Sequence, residues 1–219
     1  MLALVGACDA LMLGKLNQDS MAAVSLAIQV TFVFNLFMAA FIIGENMFVA
    51  QYYGKRDYAG ISKVCSLVLR VSCITAVIFM AAAMIFPEDI MRFFTNEPEL
   101  VLLGSGYLRM VGVSWILSAV SQVYMTFMKN CNAVNLSTVI SSTTVVLNIL
   151  LNAVLIFGLA KVPAMGVAGA ALATVIATAV QTVLCVVYVV LRRGELEVSL
   201  WEMNWAPIGL RKRRKPGRH

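Results

Sequence analysis

The sequence predicts an all-α membrane protein with about six spanning helices, the first of them incomplete. Three observations predict it. Hydrophobic residues make up 61% of the 219 and charged residues only 13%, against roughly half and a quarter in soluble domains. Mean hydropathy is +0.87. Apolar runs recur between short polar breaks, most of them reaching the ~20 residues that cross a bilayer as a helix. Too little polar surface remains to cover a soluble core, which excludes a soluble enzyme domain, a disordered tail and a disulfide-stapled secreted module. The runs are too long and too evenly apolar for the short alternating strands of a barrel.

The first run, residues 1–14, is too short to span and is interrupted by Asp9. It has no basic start and makes a poor signal peptide, so either this helix is incomplete or the true start lies upstream. The second run, 21–53, is longer than one span requires and closes at Gly54-Lys55-Arg56-Asp57. The third run, 64–86, leads into a loop bracketed by Pro87-Glu88-Asp89 and Asn96-Glu97-Pro98. The fourth, 100–128, ends at Lys129-Asn130-Cys131-Asn132. The fifth, 136–159, turns between Gly158 and Pro163 into the sixth, 165–191. In this last run Gly166, Ala170 and Thr174 repeat at spacing four, as do Gly169 and Ala173. Such rows of small residues let helix backbones approach closely in lipid.

The net charge of +6 comes from the tail: Arg211, Lys212, Arg213, Arg214, Lys215 and Arg218. The rest of the chain balances at 11 cations and 11 anions. A short basic tail without a basic face reads as a membrane flank and not as a nucleic-acid surface. If each run spans once, Lys55, Arg56, Lys63, Lys129, Arg192, Arg193 and the tail share one side. The other side holds only Lys15, Arg92 and Lys161, so the 54–63 and 129–135 loops and the tail are expected in the cytoplasm.

His219, the only histidine, is the last residue, which leaves no Ser-His-Asp triad, Cys-His dyad or histidine metal site. The five cysteines are odd in number, widely spaced and without a C-x-x-C, and read as packing residues. Neither an enzyme nor a cofactor is indicated. The candidate functional residues are polar groups inside apolar runs, where they are expensive. Asp9 either faces a wet cavity, binding a proton or Na⁺, or lies near the outer interface beside Lys15. Glu45 either serves such a cavity or sits near the interface, paired with a basic group of the 54–63 loop. Asn148 and Asn152, one helical turn apart, can coordinate a cation, bond a substrate or join helices. Gln29, Asn35, Gln122 and Gln181 are further candidates for the same cavity.

Four segments carry a family resemblance. Asp9-Ala-Leu-Met-Leu-Gly14-Lys15-Leu16 with Met21-Ala-Ala-Val-Ser-Leu-Ala27 resembles the first helix and second-helix start of multidrug and toxic compound extrusion (MATE) transporters. Val49-Ala-Gln51-Tyr-Tyr-Gly54-Lys-Arg-Asp57 is similar to the family's second-helix end. Asn148-Ile-Leu-Leu-Asn152-Ala-Val-Leu-Ile-Phe-Gly158 resembles its fifth-helix motif, and Gly166-Val-Ala-Gly-Ala-Ala-Leu-Ala-Thr174 the start of its sixth.

The resemblance implies one lobe of a twelve-helix antiporter, driven by H⁺ or Na⁺, that exports amphipathic or cationic compounds across the inner (plasma) membrane. Residues 1–193 correspond to the N-terminal lobe and 194–219 to an inter-lobe linker and basic tail. Asp9 falls on the first-helix coupling carboxylate, Asn148 and Asn152 on the fifth-helix polar pair, and Thr174 on a sixth-helix polar residue. Where one branch has a second carboxylate this chain has Asn152, which leaves Asp9 as the main titratable group. The partners implied are the bilayer, a small-molecule substrate, and the second lobe or a second half-unit. Two alternatives stand beside this. One is a non-transporting, truncated or frameshifted chain. The other is a lipid-linked saccharide flippase, for which Arg70 and Arg109 supply few phosphate-binding cations.

Overall fold

The computed structural model describes residues 11–14, 17–131, 133–158 and 163–191. Among these, five helices are long and apolar enough to cross a membrane, and no strand occurs. They are α1 (Gln18–Gly54), α2 (Tyr58–Ile85), α4 (Pro98–Asn130), α5 (Val134–Phe157) and α6 (Val167–Leu191), with a short α3 (Pro87–Arg92) between α2 and α4. Of the first run, only residues 11–14 are described, and they are helical.

Local chemistry marks the helix ends. Asn17 caps α1, its side chain accepting from the Asp19 N–H at 3.1 Å. With 37 residues, α1 is about 55 Å long and exceeds the ~30 Å hydrocarbon thickness. It ends where Arg56 takes φ 54, the only positive-φ residue other than glycine among the described residues. Asp57 then caps α2 by accepting from the Gly60 N–H at 2.9 Å. The helix therefore begins six residues before the apolar run at Val64, because a cap can start a helix through polar residues that hydropathy passes over. Asp57→Ala is expected to cost about 1 kcal/mol, read as faster hydrogen exchange confined to the first turn of α2.

The 87–98 stretch, expected as a loop, differs in part. Its first six residues form α3, with Pro87 opening the helix, Glu88 and Asp89 in the first turn, and Arg92 3.9 Å from Glu88. Pro98 likewise opens α4. Gly158 closes α5 with φ 74, a left-handed conformation in which a side chain is disfavoured.

Helix α4 is central. It packs on α1, α2 and α6, while α5 packs mainly on α6. Half of its most apolar stretch is buried, whereas the other four spanning helices leave most of theirs on the surface, as lipid-facing helices do. Trp115 of α4 stacks on Phe34 of α1 with ring centroids 5.4 Å apart. Phe79 of α2 meets both edge-on, at 5.6 and 6.1 Å. The small-residue row on α6 faces inward: Gly169, Ala170, Ala173 and Ala177 are buried. A Cβ on Gly169 would lie 2.6 Å from the Leu155 carbonyl oxygen, so α6 touches the α5 backbone there. This contact sets the spacing of the two helices that carry the site.

Candidate functional site

Asn148 and Asn152 lie on the buried face of α5, exposed by 1% and 0%. Asn152 Nδ2 donates to Asn148 Oδ1 at 3.1 Å. Asn148 Nδ2 donates in turn to Thr174 Oγ1 on α6 at 3.2 Å. The three side chains thus form one chain of hydrogen bonds across the α5–α6 contact. Buried amides need such partners, and bonds between polar residues also hold helices together in lipid. The asparagine one-turn spacing and the close backbones at Gly169 act together: the first aligns the amides, the second brings Thr174 within reach.

Asn148 and Thr174 also line a cavity of about 320 Å³ between α1, α4, α5 and α6, a size that admits a small ligand. Its walls are polar stripes at helical spacing. Helix α4 supplies Gln122, Thr126 and Lys129, α5 supplies Ser141, Thr144 and Asn148, and α6 supplies Thr174, Thr178 and Gln181. Most of these side chains are also tied within the bundle. Gln181 Nε2 lies 3.4 Å from Ser121 Oγ on α4, and Gln122 Nε2 donates to Ser118 Oγ at 3.0 Å. Thr144 and Thr178 donate to main-chain carbonyls one turn back. Among the described residues, Lys129 is the only cation in the lining. Such a wall presents amide and hydroxyl dipoles, which solvate a cation or hydrogen-bond a polar substrate with little fixed charge.

The remaining candidates fall elsewhere. Asp9 lies outside the described residues. Gln29 is exposed on α1, and neither it nor Asn35 lines the cavity. Glu45 is fully buried on α1 and accepts from the Cys65 thiol of α2 at 3.6 Å. Among the described residues it does not line this cavity, and it makes no ion pair with a basic group of the 54–63 loop. Thr126, Lys129, Ser141, Thr144 and Thr178 were not singled out from the sequence. Their signal was present as polar residues recurring every three or four positions along three apolar helices.

The family model for MatE matches residues 1–154. The chain is 28% identical over 209 residues to a probable multidrug resistance protein NorM of Rhizobium meliloti, covering 94% of this chain and 44% of that protein. It is 26% identical over 189 residues to the multidrug export protein MepA of Staphylococcus saprophyticus, covering 86% and 41%. The chain thus spans less than half the length of these relatives. Among solved structures, a MATE crystal structure in a bent conformation superposes with a TM-score of 0.81 at 22% identity, over 98% of this chain and 45% of that one. An outward-facing MATE family transporter gives 0.81 at 22% identity over 92% and 44%. These likenesses establish the fold, one lobe of a MATE-type bundle. The family is one of transport proteins, not enzymes. With its apolar helices and its match over most of its length, the chain is a multi-pass membrane protein and belongs to the MatE family.

Proposed function

We propose that this chain is the N-terminal lobe of a cation-coupled antiporter that exports amphipathic or cationic compounds. The observation that carries the reading is the Asn152–Asn148–Thr174 chain of hydrogen bonds at the wall of a polar cavity, in a lobe of the MatE family. Names of relatives that denote multidrug resistance or export support the substrate class. Asp9 supplies the exchangeable charge, while Asn148, Asn152 and Thr174 supply neutral oxygen ligands and donors. When Asp9 is ionised, a cationic compound is favoured. When H⁺ or Na⁺ neutralises it, release is favoured. Transport then follows from the different affinities of the two states. The second lobe completes the substrate path. Lysine and arginine bias assigns the 54–63 and 129–135 loops and the tail to the cytoplasm, with the bundle in the inner membrane.

The test is export of a cationic dye by the product of the complete gene, reconstituted in vesicles with an imposed H⁺ or Na⁺ gradient. Dye movement that follows one of the two gradients and stops when that gradient is collapsed is the expected result. Movement indifferent to both gradients, or none in a correctly inserted protein, overturns the reading.

A further inference from the structure

Glu45 is a buried carboxyl that the cavity does not use. It lies three residues beyond Ile42, the α1 residue of the cavity wall, and is 0% exposed. Oε1 accepts from the Cys65 thiol, a weak donor, at 3.6 Å. Oε2 is buried without a hydrogen-bond partner, and among the described residues no cation pairs with the carboxyl. Ser62 and Ser66, four apart on α2, are also buried, and neither hydroxyl has a partner. Cys65, between these two serines on α2, belongs to the apolar cluster in which α2 meets α1 and α4. The titratable groups of the cluster around Cys65 are Tyr52 and Tyr53 on α1, Tyr58 on α2, Tyr124 and Cys131 at the α4 end, and Cys185 and Tyr188 on α6, with Lys129 in the cavity wall. Lys129 belongs to the cavity wall, and the thiols and phenols bring no positive charge.

A bare carboxylate held by one thiol in an apolar contact costs several kcal/mol, so a carboxyl kept there needs a neutralising ion. We propose that Glu45 is a second site for a monovalent cation in this lobe, H⁺ or Na⁺, bound at Oε2 and separate from the Asn148–Asn152–Thr174 cluster. The proposal rests on the functional reading above only for the identity of the ion. Glu45 lies nine residues, about 14 Å along the helix, from Gly54 at the end of α1, and its neighbour Asn46 accepts from Asn130 at 2.7 Å, joining α1 to α4. Loss of the cation leaves a charge between α1 and α2 and loosens that end of the bundle.

The test uses the product of the complete gene in lipid vesicles. Infrared spectra taken across a pH series read a protonated carboxyl directly, and labelled Na⁺ counts bound sodium. If the ion is H⁺, a carboxylic C=O band is present in wild type, missing in Glu45→Gln, and shifted in Cys65→Ala, which keeps the carboxyl but removes the thiol bond. If the ion is Na⁺, that band is lacking and bound Na⁺ falls by one per molecule in Glu45→Gln. A Glu45→Gln protein that matches wild type in both readouts overturns the proposal. Cys65→Ala, a milder change, decides the H⁺ arm even if Glu45→Gln fails to fold. An Asp9→Asn protein measured alongside separates the two readings: the Glu45 signals persist there whether or not export depends on Asp9.

Discussion

Asp9→Asn, made in the complete transporter, is expected to abolish cation-driven export while membrane insertion stays normal. An amide neither releases a proton nor carries the charge that holds a monovalent cation, so the two affinity states collapse into one. Asn148→Leu is expected to act on the same step. Asn148 is the middle of the hydrogen-bond chain, accepting from Asn152 and donating to Thr174. Leucine keeps the volume but removes the bonds that join Asn148 to Asn152 and Thr174, and takes one oxygen from the cavity wall. A coupling loss of about 1–3 kcal/mol, the usual range, corresponds to roughly 5–150-fold in cation affinity. The measurement is the cation concentration giving half-maximal export. Normal export by Asp9→Asn, or an unshifted cation dependence in Asn148→Leu, removes the respective residue from the coupling site.

Gly169→Ala is expected to give the largest loss of stability from a single methyl group. Its Cβ would stand 2.6 Å from the Leu155 carbonyl oxygen and 2.8 Å from the carbonyl carbon. Both are α5 main-chain atoms, which cannot rotate aside, so α5 and α6 must move apart. Overpacking of this kind costs about 1–3 kcal/mol. The same displacement lengthens the 3.2 Å bond from Asn148 to Thr174, so cation affinity falls along with thermal stability. Gly106→Ala is the control: a Cβ there meets nothing within 4 Å, and helix propensity alone favours alanine. A lowered Tm in detergent for Gly169→Ala, with Gly106→Ala unchanged or raised, is the expected pair of results. Equal melting of both proteins means that α5 and α6 do not touch at Leu155.

The spanning helices were legible because apolar length is a one-dimensional property. A run of 20 apolar residues in a bilayer has one low-energy solution, since only a helix satisfies its backbone internally. The start of α2 and the whole of α3 were not read from hydropathy. Asp57, Pro87, Glu88 and Asp89 had the right chemistry for helix starts, but a capped polar turn carries no apolar signal. The spacing of Asn148 and Asn152 placed them on one face of a helix. It left open whether they bind an ion or join helices; in the fold the bond from Asn148 to Thr174 joins α5 to α6.

The sequence by itself determined that the chain is a helical membrane bundle, which family it resembles, and which few polar residues stand in its apolar runs. Burial in lipid makes each such residue conspicuous wherever it points. Only the tertiary structure decided which of them meet. Thr174 joins Asn148 because Gly169 lets α6 onto the α5 backbone. The stripes of Gln122, Ser141 and Thr178 converge because α4, α5 and α6 turn those faces toward one another. Glu45 is buried against Cys65 because α1 and α2 pack with those turns in register. Helical periodicity gives a residue's angle about its own axis, but the rotation of one helix against its neighbour depends on packing between segments far apart in the chain.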